Sequence, residues 1–404
     1  MKTMPLKILV VGAGIAGLAT AVALRQNGVE VEVVEKTYEL KEVGAALSLW
    51  PNSQAALKEL GIAEAVEALG TREPSIIIKT SVGREMVRLD SERVDKSLGG
   101  GALVVRRVDL QRVLLEAAKG IPIRLGLECR LVRQTDSQVN VQFDGRDDAW
   151  ADALVGCDGV HSAVRSAVVG LTVPSYAGVT TWRAIVESDA AIHGNWCADR
   201  SSWLSFGEGR QFVVSFLRNS AIYWSGNAVA PGRDTLASDP RAGAAEMFGS
   251  WHSPIPELIE GTDPTAVIQS DVYQAVPRRI VRGRVALAGD AAHPMTPHLG
   301  QGACQALEDA AVLGRALGSG EDPATSFSLY SEARLRRVQR VVSQSRRVGL
   351  MLSTTIPLLA KARDTLLLNT PPFIQSRAVA RIASRDAFMH SLLSIGGTEQ
   401  QEAI

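Results

Sequence analysis

The sequence is 404 residues long, and its 43 lysines and arginines balance its 43 aspartates and glutamates, so the formal charge is zero. That balance gives no overall electrostatic footprint for nucleic acid or an anionic membrane, and a composition of 46% hydrophobic and 21% charged residues excludes a disordered or fibrous chain. The length allows more than one core, so a second domain built into the first is expected.

In chain order, Lys2 and Lys7 precede an apolar run from Ile8 to Leu24, but the glycines inside that run argue against a secretory signal. Lys7 to Val11 reads as a strand, GAGIAG as a tight turn, and Leu18 to Gln26 as a helix ended by Asn27-Gly28. Val31 to Val34 then forms a second strand closed by Glu35, which completes a βαβ unit. Gly12 permits the turn, Gly14 lets the backbone approach a pyrophosphate, and Gly17 lets the helix pack on the strand. The helix N-terminus faces the phosphates, and the Glu35 carboxylate can accept hydrogen bonds from a ribose. These features point to a dinucleotide and leave NAD and FAD both open.

A helix from Pro51 to Leu60 is followed by strands at Ser75 to Thr80 and Glu85 to Leu89, then by helical spacing from Asp109 to Ala118. Between Thr180 and Tyr273 the chain turns to short strands rich in aromatics, with Trp182, Trp203, Phe206, Phe212, Phe216, Tyr223 and Trp224, a candidate substrate domain. These rings suit a flat ligand, or they fill that domain's core. A buried strand from Arg284 to Gly289 leads into Asp290, and a long helix starts near Gly300 or Gln301. Val348 to Leu368, interrupted by Pro357, Lys361, Arg363 and Asp364, is too broken to span a bilayer and reads as helix packed on the protein. Cys129, Cys157, Cys197 and Cys304 are too scattered for a disulfide framework or a metal cluster and suit a reducing cytoplasm.

Two later segments narrow the reading. ALVGCDGVHSAVR, from Ala153 to Arg165, resembles the Asp-Gly motif of group A flavoprotein monooxygenases, and RVALAGDAAHPMTPHLGQGACQALEDA, from Arg284 to Ala310, resembles their Gly-Asp motif. With GAGIAG they stand in the family's order, and the resemblance covers Lys7 to Leu317. It implies one FAD, NADH or NADPH as a transient reductant, and O2 as co-substrate. The reaction it implies is insertion of one oxygen atom into a planar, largely apolar aromatic or unsaturated small molecule. The implied fold is α/β: a discontinuous Rossmann-like FAD-binding domain (1–75, 100–180 and 275–320), an inserted β-rich substrate domain (76–99 and 181–274), and a helical C-terminus (321–404).

The resemblance also assigns residues. Gly12, Gly14, Ala16, Gly17, Glu35 and Lys36 would hold the dinucleotide end of FAD, and Asp290, also suited to cap a helix, its ribityl chain. Asp158, Gly159 and Arg165 would contact FAD and form part of the surface for the nicotinamide. Arg107, rather than Arg106, aligns with a flavin-contacting arginine just ahead of a helix. In VGAALSLWPNS, Gly44, Ala45 and Ala46 would let the backbone approach the flavin ring. Pro297, His298, Leu299, Gly300, Gln301 and Gly302 match the segment passing the flavin edge where oxygen reacts, with His298 a candidate for proton transfer and His293 a structural residue. Because oxygen activated on the flavin is electrophilic, no nucleophilic triad is required. On the substrate side stand Arg183, Gln211 and Tyr223. The nearest branch is the urate-hydroxylase and zeaxanthin-epoxidase-like one, but Gln211 occupies the place of an expected urate-binding arginine after a GEG turn, so strongly anionic purines should bind poorly. No metal, nucleic-acid partner or transmembrane segment is expected. An FAD-linked dehydrogenase or reductase, which the Asp-Gly motif disfavours, and a non-catalytic flavin-binding protein are the rival readings.

Overall fold

The computed structural model describes residues 6–40, 45–90, 98–187, 200–230, 239–371 and 381–395. Gly44 and Cys197 lie outside the described residues. Two large sheets organise the chain. The first has six strands in the order Val281–Arg282, Val285–Leu287, Ala153–Gly156, Lys7–Val11, Glu30–Val34 and Ile123–Arg124. All neighbours are parallel except the first pair. Ile8, Val10, Val33, Leu154 and Val155 are fully buried, as parallel strands covered on both faces must be. The Ile15–Gln26 helix lies against the Gly302–Leu317 helix. A side chain at Gly314 would begin 2.7 Å from the Ala23 methyl, so glycine sets the close approach of the two helices.

The seven-stranded sheet has the order Ile268–Gln274, Ser175–Val186, Ile222–Val229, Arg210–Phe216, Ser202–Phe206, Ser75–Thr80, Glu85–Asp90. It is antiparallel except where Ser202–Phe206 meets Ser75–Thr80. Strand alternation divides its side chains between two faces. On the back, Trp182, Trp203, Phe212, Phe216 and Trp224 are buried in one cluster with Phe248, Trp251, Ile255 and Leu258 from the Pro240–Phe248 and Ile255–Glu260 helices and the turn between them. Phe212 stacks on Trp224 with ring centroids 5.4 Å apart. Of the rings left open between a flat ligand and the core, Trp182, Trp203, Phe212, Phe216 and Trp224 are therefore core, because every second residue of each strand is turned away from the front, whereas Phe206 and Tyr223 share the front's parity. On that front stand Thr181, Arg183, Tyr223, Ser225, Asn227 and Gln211, in register across three strands.

Element boundaries shift slightly. The first helix begins at Ile15 instead of Leu18, and the one expected from Asp109 begins at Arg107, with Arg106 as its N-cap residue. Arg107 is thus the first residue of the helix, not one ahead of it. Pro51, Pro240, Pro323 and Pro357 all sit in first helical turns, where a missing N–H costs nothing. The Val348 to Leu368 region is the end of the Pro323–Leu352 helix followed by the Pro357–Asn369 helix. It is held to the protein along one edge, through Ala360 and Arg363, while Leu350, Leu358, Leu359, Leu366 and Leu368 are exposed. Among the described residues no helix is long and apolar enough to cross a membrane.

Candidate functional site

The glycine turn is fixed by contacts that forbid side chains. Gly12 has φ +106°, and a Cβ there would stand 2.4 Å from the Cys157 carbonyl oxygen. A Cβ on Gly17 would stand 1.7 Å from the Gly12 oxygen, whereas one on Gly14 would meet nothing within 4 Å. Two of the three glycines let backbones touch; the third faces open space. Gly14 is the N-cap residue of the Ile15–Gln26 helix and supplies no side-chain cap, so the first-turn N–H groups are left for an anion. Ala16 lies half-buried beneath this opening, with its methyl against Gly289. Glu35 braces the turn: its Oε2 accepts from the Ala13 N–H at 2.8 Å and its Oε1 from the Thr37 N–H at 3.0 Å. Lys36 beside it is exposed.

Arg165 joins the loop of Asp158 and Gly159 to the Gly289–Ala291 turn that carries Asp290. Asp158 Oδ2 accepts from the Ala163 and Val164 N–H groups at 2.7 and 3.2 Å, while its Oδ1 is buried without a partner. Burial pushes its carboxyl pKa up, against the pull of those hydrogen bonds and Ser162. Gly159, at φ +79°, faces open space. The Arg165 guanidinium is buried and donates to the carbonyls of Val160 at 2.7 Å, Ala291 at 2.8 Å and Asp290 at 2.9 Å. This arginine is a brace between the two loops and not a surface ion pair.

Asp290 has an open side-chain surface yet is surrounded by protein, the position of a group on the wall of a deep cleft. That surrounding raises its pKa, and the charges of His293, Arg107, Arg165 and Arg183 oppose the rise. Arg107, lowered by burial and by the nearby Arg183, is drawn back up by Asp290. Arg106 differs from its neighbour: it is held by Glu187 through hydrogen bonds of 2.6 and 2.8 Å. Ala45 accepts the Arg107 N–H at 2.8 Å, and Ala46 packs with Val104, Ile185 and Tyr223. The cleft thus runs from Asp290 past Arg107 to the front of the seven-stranded sheet.

Behind the Gly289 to Gln301 segment lies an ionic network that the sequence did not reveal. Arg334, fully buried, donates to Asp309 Oδ1 at 2.7 Å and also binds Glu308. Arg337 grips Glu308 at 2.6 and 2.5 Å. Asp309 Oδ2 accepts the Gly289 N–H at 2.9 Å and meets His293 Nε2 at 2.6 Å. Burial alone would raise the Asp309 carboxyl, but Arg334 and His293 hold it down at about 2. Asn52 donates to Glu308 at 2.6 Å and to Gln301 Oε1 at 3.0 Å, while the buried Gln301 Nε2 has no partner among the described residues. The signal for this cluster was an adjacent Glu-Asp pair inside an otherwise apolar helix.

Pro297 and Gly300 are exposed at the cleft rim, with Gly300 at φ +60° over the unpartnered Trp50 Nε1. Gly302 opens the Gly302–Leu317 helix, whose N-cap residue Gln301 gives no side-chain cap; the positive end of that helix suits negative charge. His298 is turned toward the Pro323–Leu352 helix. Its Nε2 lies 3.4 Å from Ser353 Oγ, and a side chain on Gly349 would begin 2.7 Å from its Nδ1. Burial lowers its pKa to about 4, so the ring is neutral at pH 7. On the sheet front, Arg183 Nη2 donates to Ser270 Oγ at 3.1 Å while its Nε is buried without a partner. Burial raises the Tyr223 phenol, with Arg183 nearby opposing. Gln211 and Asn227 are cross-strand partners, and both side-chain oxygens are buried and unpartnered. Asn227 is a site candidate that sequence reading missed, although it shares the strand parity of Tyr223.

The open space at Gly14, Gly159 and Gly302 and the orphaned polar atoms of Asp158, Gln301 and Trp50 fit a cofactor with phosphates at one end and a flat, hydrogen-bonding ring at the other. Comparison with known proteins agrees. The family described as "FAD binding domain" matches residues 5–345. The aurachin C monooxygenase/isomerase of Stigmatella aurantiaca is 34% identical over 351 residues, covering 86% of this chain and 90% of that protein. The FAD-dependent urate hydroxylase of Klebsiella pneumoniae is also 34% identical over 351 residues, covering 85% and 89%. The crystal structure of Klebsiella pneumoniae HpxO complexed with FAD and uric acid superposes with a TM-score of 0.86 at 30% identity, covering 96% of this chain and 98% of that one.

Proposed function

The chain belongs to the FAD binding domain family, and from that premise we propose how its residues serve an FAD-dependent monooxygenase. The protein inserts oxygen into an aromatic small molecule, with FAD as cofactor and NAD(P)H as reductant. When bound, FAD would supply the redox chemistry, that is hydride acceptance from the reductant and activation of O2. The chain's own residues bind, orient and exclude water.

In this reading the Gly12 to Gly17 turn and the uncapped Ile15–Gln26 helix hold the pyrophosphate. Glu35 holds the turn and accepts from the ribose, Lys36 borders it, and Asp290 accepts from the ribityl hydroxyls. Arg107, Ala45, Ala46, Gly300, Gln301 and Gly302 surround the ring, Asp158 and Gly159 contact FAD and form part of the surface for the nicotinamide, and Arg165 fixes the two loops together. Pro297 shapes the rim. His298 fills the space against Gly349 and so positions the Pro297 to Gly302 segment; its proton-transfer role requires the ring to turn from Ser353. Residues 76–99 and 181–274 form the substrate domain, 1–75, 100–180 and 275–320 the FAD-binding domain, and 321–404 the C-terminal region. The buried free thiols of Cys129, Cys157 and Cys304 suit a reducing cytoplasm.

The substrate is an uncharged planar ring with hydrogen-bond donors at one edge. The observation that carries this is the Gln211–Asn227 pair, whose buried carbonyl oxygens lack partners on the front of the sheet. Such acceptors are costly unless a ligand donates to them. Arg183 and Tyr223 orient a polar substituent. The test is NAD(P)H-dependent oxygen consumption with phenols, quinolones and urate, read with mass spectrometry for a gain of one oxygen. Coupled turnover of neutral rings is expected; efficient, coupled oxidation of urate alone would overturn the substrate assignment.

A further inference from the structure

The described residues expose few large apolar side chains, and a set of them is gathered in one place: Leu350, Met351, Ile356, Leu358, Leu359 and Leu366. On the Pro357–Asn369 helix, Leu358, Ala362 and Leu366 follow one another at intervals of four, so they form an outward stripe opposite the buried Ala360 and Arg363. The stretch of chain leading into this stripe carries charge of one sign, although Asp364 on the stripe's own helix is paired with Arg363 and Glu208 and Glu85 stand on neighbouring elements. From residue 333 to residue 363 the sequence carries arginines and a lysine and not one aspartate or glutamate, in a chain whose total charge is zero. Arg336, Arg340, Arg346 and Arg347 are exposed, and none has a carboxylate partner among the described residues. Arg340 and Arg347 line a groove of about 530 Å³ together with Val348 and Met351, so basic and apolar groups share one surface.

We propose that this face docks on an anionic lipid bilayer, the leucines entering the acyl boundary and the arginines meeting lipid phosphates. Exposed leucine next to unpaired arginine is the composition of a helix that lies in a membrane interface, and a basic patch draws anionic headgroups. A second copy of the chain is disfavoured as the occupant, because a two-fold interface would set this arginine-rich surface against itself. The surface is joined to the cleft. The Gly209 N–H donates to the Thr354 oxygen at 2.7 Å, Arg363 donates to the Gly207 oxygen at 3.2 Å, and Ser353 meets His298. Docking therefore brings the sheet turn before Gln211 and the Pro297 to Gly302 rim to the lipid surface, where a lipophilic ring would enter. The docking itself does not depend on the substrate assignment.

The test is co-sedimentation of the full-length, FAD-loaded protein with phosphatidylcholine vesicles, with and without phosphatidylglycerol. Binding to the phosphatidylglycerol vesicles is expected, weakening as salt is raised. Arg340→Gln with Arg347→Gln should lower that partitioning by about thirtyfold. Leu358→Ser with Leu366→Ser should lower it at every salt concentration, with flavin content and thermal melting unchanged in both variants. Wild-type protein that stays in solution with both kinds of vesicle overturns the proposal. So does a holoenzyme dimer, seen in the ultracentrifuge, that the leucine substitutions convert to monomer, since a second copy would then be the occupant.

Discussion

The protein treats buried polar groups in opposite ways in its two halves. Behind the cofactor cleft, Arg334, Arg337, Glu308, Asp309, His293, Gln305 and Asn52 are knitted together: the guanidiniums and carboxylates of that cluster satisfy one another, and the orphaned atoms beside them are the uncharged Asn52 Oδ1 and His293 Nδ1. On the front of the seven-stranded sheet, Gln211, Asn227 and Arg183 keep buried atoms that nothing among the described residues satisfies. A network of paired charges is scaffold: it holds Gly289 and Gln301 in place through Asp309 and Asn52. An unsatisfied one is an invitation to a ligand, because an orphaned buried group is stable only when something else completes it.

The comparison is sharpened most by breaking the scaffold. Arg334→Met should cost about 3–5 kcal/mol, since Glu308 keeps Arg337 but Asp309 loses the one guanidinium that pairs with it among the described residues. Chemical denaturation of the apoprotein measures this, and a loss under 1 kcal/mol would mean that the network is not the brace described. Next in size is a pair of neighbours on opposite faces. Phe212→Ala should remove about 3 kcal/mol or more by opening a cavity against Trp224 and Phe248. Gln211→Ala, one residue away, should leave stability nearly unchanged and act on substrate affinity. Equal losses of stability from both would erase the distinction between the faces.

A third test uses pH. His298 is held at about 4 by burial, below its ordinary value near 6.5. Its neutral form is favoured by folding, so its contribution is complete above the unfolded pKa and is lost as pH falls from about 6.5 to about 4. A shift of that size corresponds to on the order of 3 kcal/mol at full extent. His298→Asn should flatten the stability profile in that window. It should leave intact the loss at lower pH, where Asp309, held near 2, becomes protonated. If the profile between pH 4 and 6.5 is unaltered, His298 faces the solvent-filled cleft and not Gly349.

What could be read from sequence divides along the same line. The turn at Gly12 and Gly17 was legible because backbone contacts of 2.4 and 1.7 Å to an added Cβ leave only one residue type possible. The aromatic stretch stayed open between ligand and core because a window of sequence sees both faces of a strand at once. Trp182 beside Arg183, Phe212 beside Gln211, and Trp224 beside Tyr223 each set a core ring next to a cleft residue. Alternation at period two would have separated them. The Arg334–Asp309 pair was illegible for another reason: charges on a helix ordinarily mark the solvated face, and these partners lie 25 residues apart on different helices.

The smallest expected effect bears most directly on the ligand side. Gln211 is buried, faces Asn227, and shares its surface with Arg183, so Gln211→Arg would add a second cation to a front that now carries neutral amides. A charge-assisted bond to an anionic ring is about twice as strong as a neutral one, and the difference should favour anionic over neutral planar ligands by about 1–2 kcal/mol, roughly tenfold in relative affinity. Part of that gain is offset by desolvating the new guanidinium, which is why the ratio of the two affinities, and not either one alone, is the quantity to follow. Ligand-induced changes in flavin absorbance give both dissociation constants from the same sample, and a melting curve checks that the buried arginine is tolerated. A tenfold swing toward the anion identifies position 211 as a contact to the substrate. If both affinities stay where they were, the amide touches no ligand, and the front of the sheet at that point is scaffold like the back.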